Sequence, residues 1–517
     1  MNVRRMQQLL NHCTSTCHPE NPSLFVPTRL IDIGNDASVI PRLVLSSDIS
    51  KSEQTKYATL SYCWGSEKDA ESQFKTEKAS LEHRCAGLHI EHMTPTTNNA
   101  IALARVIGLR YLWIDALCII QDDKDDWLRE ASQMNLVYRH AFVAFCSLNS
   151  NSCHEGFLSR APTIEIPFHS NIRKAIKGSY LIRLCSKTSP HIYRGKYLWD
   201  KTLSKWDKRC WTYQEQEMST RLLLFGSLRM HFLCATCQWS EGDEAPTDRS
   251  ASGVVHQITR FKDNSISSKE LYDYWRWLVH KYGHRSVTFE EDRLPAIAGL
   301  ARMIGEALED HYLAGLCKGD LIYALAWFSI GDMLSRSLDV HIRNIQERTY
   351  VAPSWSWAAC PAVGDVRYPG AHIVEESTVM DVNTDTNPKD PYGQAFGGYL
   401  HMRAKIAGMR EFFPNDRGNR WLNILYHNIG DNDYIEAIID WLHKDDEAEL
   451  ASLVLLLLFH TEHEDETGPC LHALLLHPTG DTGQYYRVGL VTSYGHEGYR
   501  VMRGWFDDSQ EETICII

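Results

Sequence analysis

Two apolar stretches constrain the fold of this chain more than any other feature. Residues 57–65 (YATLSYCWG) and 109–122 (LRYLWIDALCIIQD) each have the pattern of a buried strand that ends in aromatic, polar or glycine residues. Between them Thr94 suits a helix N-cap, Pro95 suits the first helical position, and Gly108 suits the helix exit. A strand–helix–strand connection predicts a parallel sheet, and open α/β folds bind ligands at its carboxyl edge.

A second helix is predicted directly after the second strand. The acidic residues 122–126 complement its N-terminus. Helical spacing predicts a buried stripe formed by Trp127, Ala131, Met134, Tyr138 and Ala141. Glu130 lies about 60° to one side of that stripe at roughly 100° per residue, so we predict a boundary position for it. Residues 141–148 predict a third apolar strand.

The predicted fold class is α/β: a mainly parallel sheet flanked by helices, followed by a mixed α+β C-terminal region. We predict a lead-in over residues 1–50 that packs on a domain over 51–215. A Trp-rich helical region over 216–380 and a mixed α/β region over 381–517 follow. Within these parts, residues 66–92 predict a long irregular loop, and the Gly/Asp/Pro-rich residues at about 380–397 predict a linker.

Charge and hydropathy exclude two classes of partner. The formal charge of −13 and the lack of a basic stripe argue against nucleic-acid binding, which needs a basic face. The most apolar segment, 450–459, is too short for a membrane helix, which needs about 20 residues. The N-terminal residues lack the apolar run of a secretory signal. We therefore predict a cytoplasmic protein that contacts neither nucleic acid nor membrane.

The fifteen cysteines predict buried, reduced thiols, since most lie inside apolar runs. Two groups have metal-ligand residue types: Cys13, Cys17 and His18 near the N-terminus, and the pair Cys234 and Cys237. A structural zinc site needs four ligands, usually as two pairs in local register. Because these groups are far apart in the sequence, metal binding is a minor alternative and the prediction is no metal.

Several motifs in order resemble the fungal heterokaryon incompatibility (HET) domain proteins. They are LSYCWG (60–65), LWIDALCIIQ (112–121) with DWLRE (126–130), RCWTYQE (209–215), TFEEDRLPA (288–296), AGL (314–316) and APSWSW (352–357). The resemblance implies a role in vegetative incompatibility, in which such proteins recognise a genetically different partner after hyphal fusion and trigger cell death. It also implies a protein partner and self-association. Cys63 and Cys210 are small departures from the family pattern.

HET domains are also remotely similar to TIR domains, which implies a TIR-like sheet here. In TIR enzymes that cleave NAD, a Glu shortly after a Trp on the equivalent helix is catalytic. By that resemblance Glu130, which follows Trp127, is the catalytic candidate. The protein would then be an NAD glycohydrolase with NAD as its substrate and no resident cofactor.

The chemistry of that cleavage suggests roles for residues at the strand ends. Breaking the nicotinamide–ribose bond develops positive charge on the ribose, which one carboxylate can stabilise. Tyr62 or Trp64 can provide an aromatic platform for a ring of the substrate. Gly65 allows close approach of the backbone to a phosphate. Asp115 lies near a strand end and completes the candidate substrate-binding set.

Each candidate also has a purely structural interpretation. Glu130 can be an exposed carboxylate paired with Arg129 or Lys124, and Asp115 can form a salt bridge with Arg110 or Arg160. The aromatic side chains of Tyr62 and Trp64 can be packing residues, and Gln214 and Glu215 can pair with the domain core. At the level of function, the alternatives to an enzyme are a signalling scaffold or a fold recruited to small-molecule biosynthesis.

Overall fold

The chain folds into two compact units, 1–256 and 257–517. The computed structural model describes residues 3–18, 25–36, 38–49, 55–159, 164–182, 200–249, 253–329, 335, 337–360, 372–410, 413–414, 423–430, 433–442, 450–462 and 468–517. In the first unit, nine strands form one sheet in the order β11-β10-β9-β8-β5-β3-β4-β1-β2, and β6 pairs with β7 separately.

These strands are β1 (Arg29–Asp32), β2 (Arg42–Leu45), β3 (Tyr57–Ser61), β4 (Tyr111–Trp113), β5 (Val143–Ser147), β6 (Ile164–His169), β7 (Lys177–Ile182), β8 (Arg221–Phe225), β9 (Met230–Cys234), β10 (Cys237–Ser240) and β11 (Thr247–Asp248). The helices are α1 (Val3–His12), α2 (Glu67–Glu71), α3 (Leu81–Ala86), α4 (Pro95–Ile107), α5 (Asp115–Cys118), α6 (Lys124–His140) and α7 (Cys210–Met218). A further helix, α8 (Val254–Lys262), contains the boundary between the units.

Four parallel strands form the centre of this sheet, in the order β4-β3-β5-β8. From β3 the chain crosses first to β4 on one side and then to β5 on the other. The gap between β3 and β5 is therefore a topological switch point, where the connections diverge and open α/β sheets bind ligands. Ser61, the last residue of β3, lies opposite Cys146 of β5 at this point.

The α/β class and a third strand, β5, are confirmed, whereas the sheet is parallel only at its centre. The strands beyond β4 and β8 pair antiparallel. Helix α4 is confirmed with its caps: Thr94 accepts a hydrogen bond from the backbone N–H of Thr97, and Gly108 adopts φ +85°. Residues 66–92 are less irregular than predicted, because they contain α2 and α3.

Two predictions around the second strand are wrong in detail. Strand β4 has only three residues, because the chain turns into the one-turn helix α5 at Asp115. In α6, Met134 and Tyr138 are buried as predicted, but the buried face continues through Glu130 and Asp126 rather than through Trp127. The sequence pattern favoured apolar residues on that face, and the structure instead buries two carboxylates there.

The second unit contains a large and mainly antiparallel sheet. Its strands are β12 (Tyr312–Leu313), β13 (Leu316–Cys317), β14 (His372–Glu375), β15 (Ser377–Asn387), β16 (Asp390–Gly408), β17 (Phe413–Pro414), β18 (Ile424–Asn428), β19 (Tyr434–Ile439), β20 (Val454–Glu462), β21 (Cys470–Pro478), β22 (Gln484–Tyr494) and β23 (Glu511–Ile516). Its helices are α9 (Ser268–Gly283), α10 (Ala298–Leu308), α11 (Leu321–Ala324), α12 (Leu338–Glu347) and α13 (Gly495–Gly504). Strands β12 and β13 form a separate pair.

The linker predicted at about 380–397 is instead the long hairpin of β15 and β16. The register between the two strands shifts three times, each shift marking a bulge or irregularity. Among the described strands β15 pairs with β16 alone, so it is an edge strand. The apolar segment 450–459 contributes to β20. In the part of the chain that the structure describes, no helix has the length and apolar character to cross a membrane.

Candidate functional site

A buried polar cluster lies at the carboxyl end of β3. Ser61 is 1 % exposed, and its hydroxyl donates a hydrogen bond to the Glu215 carboxylate of α7. The same hydroxyl accepts a hydrogen bond from the indole Nε1 of Trp206 at 2.6 Å. The third motif, 209–215, therefore folds back onto the switch point of the sheet.

Glu215 is the most perturbed carboxyl group of this cluster. Burial raises its pKa to about 7, although the Ser61 hydrogen bond and the positive charge of Arg209 both favour its ionised form. Tyr138 of α6 also interacts with this carboxylate, and its hydroxyl lies 3.2 Å from the carbonyl oxygen of Leu60. A carboxyl group with a pKa near 7 can both release and accept a proton at neutral pH.

The predicted substrate-binding residues Tyr62, Trp64 and Asp115 lie together beside Ser61. The indole Nε1 of Trp64 donates a hydrogen bond to Asp115 Oδ2 at 2.9 Å. The hydroxyl of Tyr62 hydrogen-bonds Asp115 and accepts a hydrogen bond from Gln73. Burial raises the pKa of Asp115, opposed by its hydrogen bond from the backbone of Ala116.

Arg209 is the cation of this cluster. Its guanidinium donates to the backbone carbonyl of Tyr62, and its charge acts on both Asp115 and Glu215. The sequence suggested Arg110 or Arg160 as partner of Asp115. Arg110 instead pairs with Asp32, with both contacts at 2.9 Å, and Arg160 lies outside the described residues.

Glu130 belongs to a different cluster, on the sheet-facing side of α6. It is 1 % exposed, so it is neither a boundary residue nor an exposed carboxylate. Its Oε1 lies 3.5 Å from Arg29 Nη2 and 3.4 Å from Arg129 Nε, and Arg29 also pairs with Asp126 at 2.5 Å. Among the described residues, no hydrogen bond or ion pair joins Glu130 to the cluster at β3. Its catalytic role stays a prediction.

Gly65 has a structural explanation of its own. It adopts φ +107°, and a Cβ atom built there would lie 2.4 Å from Asp69 Oδ2. Asp69 and Ser66 form the capping box at the start of α2, which holds the Asp69 side chain against Gly65. A glycine is therefore needed for this turn, and its predicted contact with a phosphate stays a prediction.

The sequence analysis did not select Arg209 as a functional candidate, and for Glu215 it favoured pairing with the domain core over a catalytic role. Both belong to the third motif, whose Gln-Glu ending was interpreted as packing. The Ser61 hydroxyl hydrogen-bonds Glu215 and Trp206. The sequence feature that points to Arg209 and Glu215 is the motif 209–215, because these two charged residues stand at its ends, on either side of an apolar and aromatic centre.

A second arrangement has the residue types of a Ser–His–Asp triad. Nδ1 of His231 lies 2.8 Å from the Ser240 hydroxyl, and Nε2 lies 2.9 Å from Asp200 Oδ2. The imidazole is fully buried, and Asp200 also accepts hydrogen bonds from the backbone of Leu228 and Arg229. This group therefore anchors the turn between β8 and β9.

The fold and the cluster together define an α/β domain with a polar site at its switch point. Residues 57–215 match the family described as Heterokaryon incompatibility protein (HET). This match identifies residues 57–215 as a HET domain. The match begins at the first residue of β3 and ends at Glu215, so it includes both Ser61 and Glu215. No curated protein and no solved structure matches the chain.

The raised pKa of Glu215 predicts a dependence of stability on pH. The folded state holds the Glu215 proton more tightly than the unfolded state does. The protonated carboxyl group therefore stabilises the fold fully below about pH 4.5, and this stabilisation is lost as the pH rises through about 7. Relative to Glu215→Gln, the free energy of unfolding of the wild type should fall by about 3 kcal/mol over that range. Urea unfolding at several pH values measures it. The exposed Glu71→Gln serves as control, and equal pH profiles for wild type and Glu215→Gln would contradict the assignment.

Proposed function

We propose that this protein is an incompatibility effector of filamentous fungi, which triggers cell death after recognising a non-self partner. We further propose that its HET domain acts by cleaving NAD at the cluster that ends β3. The observation that supports this most is the raised pKa of the Glu215 carboxyl group. Its pKa of about 7 suits proton transfer at neutral pH. The group also lies at the switch point of the sheet, where open α/β folds bind ligands.

The proposed reaction is the hydrolysis of NAD to nicotinamide and ADP-ribose. The bond between the nicotinamide nitrogen and the ribose carbon breaks, and its electron pair leaves with nicotinamide. The ionised Glu215 stabilises the positive charge that develops on the ribose. Water then forms the new bond to the ribose carbon, and Glu215 accepts the proton that this water loses.

The neighbouring side chains supply the binding functions that this substrate requires. The half-buried indole of Trp64 offers an aromatic surface to a substrate ring. The half-buried guanidinium of Arg209 offers positive charge to the diphosphate. Asp115 holds the Trp64 indole by its hydrogen bond and so fixes the orientation of that surface.

The remote similarity to TIR domains favours Glu130 as the catalytic carboxylate, whereas the contacts favour Glu215. Glu130 faces Arg29 and Arg129 and shares Arg29 with Asp126, so its charge is compensated within the protein. Glu215 instead hydrogen-bonds a hydroxyl at the switch point. We therefore assign the catalytic role to Glu215 and treat Glu130 as the alternative that substitutions must test.

A non-enzymatic signalling scaffold is the second candidate function, and the burial of the cluster favours it. Ser61 and Tyr62 are 1 % and 2 % exposed, and both hydroxyls already have hydrogen-bond partners within the chain. A filled polar core of this kind can serve only to fix the fold. The domain would then act by binding a protein partner or a second copy of itself.

Incubation of the purified full-length protein with NAD separates the two functions. We expect release of nicotinamide and ADP-ribose in equal amounts, at a rate that increases when the protein is clustered by tethering to beads or vesicles. Chromatography with mass detection measures both products. If neither dilute nor clustered protein releases nicotinamide, yet expression still kills fungal cells, the enzymatic proposal fails and the scaffold remains.

A further inference from the structure

Folding brings together two groups of metal-binding residue types that the sequence keeps far apart. Cys13 and Cys17 lie at the two ends of the π-helical segment that extends α1, and His18 follows directly. Cys234 is the last residue of β9 and Cys237 the first of β10, with a two-residue turn between them. The N-terminal segment thus packs against this hairpin, although 220 residues separate Cys17 from Cys237.

The distances between these side chains are close to those of a tetrahedral metal site. The sulfur atoms of Cys234 and Cys237 are 3.5 Å apart, and those of Cys17 and Cys237 are 3.9 Å apart. Four sulfur atoms at about 2.3 Å from a zinc ion are about 3.8 Å from one another. The donor atoms of Cys17, Cys234 and Cys237 all lie within 4.8 Å of one another.

Two further donors, from Cys13 and His18, lie close to Cys234. The donor atoms of Cys13, His18 and Cys234 also lie within 4.8 Å of one another. Cys13 is fully buried, and Nε2 of His18 is buried without a hydrogen-bond partner among the described residues. A buried ring nitrogen beside thiols is the arrangement that a metal ion would satisfy.

We propose that this protein binds one zinc ion through Cys17, Cys234 and Cys237, with Cys13 or His18 as the fourth ligand. The chemistry of the donors selects zinc, because thiolate and imidazole ligands in a tetrahedron favour it over calcium or magnesium. A disulfide does not explain the geometry, since the separation of 3.5 Å between Cys234 and Cys237 far exceeds a sulfur–sulfur bond of about 2.05 Å.

The surroundings of the thiols fit a bound metal. The backbone N–H of Cys237 donates to the sulfur of Cys234 at 3.3 Å, and the hydroxyl of Thr236 lies 3.6 Å from the same sulfur. Such contacts orient a ligand and stabilise its negative charge. Arg221 of β8 donates to the carbonyl oxygen of His18 at 2.6 Å, which holds the N-terminal segment in place.

Four protein ligands leave no position for water or substrate, so the zinc ion has a structural role. It would link the segment that follows α1 to the hairpin of β9 and β10. This inference does not depend on NAD cleavage, because none of the five donor residues belongs to the cluster around Glu215.

Elemental analysis of the full-length protein, purified without chelators, tests the site. We expect about one zinc ion per chain, and below about 0.1 in Cys234→Ser/Cys237→Ser. Cys85→Ser is the control, because Cys85 is exposed and distant in sequence from both groups, and it should retain the metal. Substitution by Co²⁺ should give the thiolate charge-transfer and visible bands of a tetrahedral site. Between Cys13→Ser and His18→Ala, the variant that loses zinc identifies the fourth ligand.

A measurement on the wild type avoids variants that fail to fold. Titration of its thiols with a mercurial reagent should release about one zinc ion per chain, detected with a chromogenic indicator. The proposal is overturned if the folded wild type contains no zinc and unfolds at the same temperature with and without added zinc. Iron with acid-labile sulfide, or a disulfide between Cys234 and Cys237 in freshly purified protein, would also overturn it.

Discussion

Replacing Glu215 with glutamine is expected to lower the rate of NAD cleavage by about 10²–10⁴-fold, the usual contribution of a positioned acid–base group. Glutamine keeps the shape of the side chain and can accept the hydrogen bond that Ser61 donates to this position. It carries no negative charge to stabilise the ribose cation, and it cannot take up a proton. Nicotinamide release by purified wild type and variant, at equal zinc content and equal clustering, gives the ratio.

Two matched substitutions make this result specific. Glu217→Gln changes the same residue type two positions further along α7 and should retain the wild-type rate. Glu130→Gln changes the carboxylate that the TIR resemblance favours. If Glu130→Gln abolishes cleavage in a folded protein while Glu215→Gln does not, the catalytic assignment to Glu215 is wrong and the resemblance was the better guide.

Replacing Arg29 with methionine is expected to lower the free energy of unfolding by on the order of 3–5 kcal/mol. Arg29 is the buried cation between Asp126 and Glu130, and it also donates to the carbonyl oxygen of Cys118 at 2.6 Å. Methionine fills a similar volume but leaves the two enclosed carboxylates with the more exposed Arg129 as their remaining cation. Urea unfolding of the wild type and the variant measures the loss.

The design of this second experiment includes a control and a rescue. Arg42→Met removes an exposed arginine from the neighbouring strand β2 and should change stability little. Adding Asp126→Asn and Glu130→Gln to Arg29→Met should recover part of the loss, because it removes the two buried negative charges that Arg29 no longer neutralises. A loss below about 1 kcal/mol for Arg29→Met would show that these carboxylates do not depend on Arg29.

The sequence predicted the local elements of the site better than its contacts. Helix α4 follows from Thr94, Pro95 and Gly108, because capping chemistry is encoded within a few residues. The electrostatic interaction between Arg209 and Asp115 is different, since it acts between residues that lie far apart in the chain. No periodicity or spacing encodes such an interaction, and only the motif containing Arg209 indicated that it mattered.

Buried charge explains the main error in α6. A pattern of apolar residues assigns the buried face to Trp127 and Ala131, whereas the structure encloses Asp126 and Glu130. Burial of a carboxylate is tolerated when a cation is enclosed with it. Arg29 provides that cation from β1, almost a hundred residues earlier, so the exception cannot be recognised from the helix sequence alone.

The two groups of cysteines illustrate the same limit. Each group alone has too few ligands for a zinc ion, and their separation in the sequence argued against a shared site. Folding places the β9–β10 hairpin beside the segment that follows α1, so that the sulfur atoms of Cys17 and Cys237 lie 3.9 Å apart. The hairpin of β15 and β16 was missed for a simpler reason: its polar, glycine-containing residues resemble a linker in composition.

The exposed edge at β15 has a consequence for a protein whose proposed activation requires close approach of several copies. Asp381 and Asp385 are exposed along this strand, and three irregularities interrupt its register with β16. A neighbouring chain cannot easily continue the sheet there, since charge and kinks both oppose backbone pairing. We therefore expect this edge to resist open-ended fibre growth, so that the proposed self-association would use contacts between side chains.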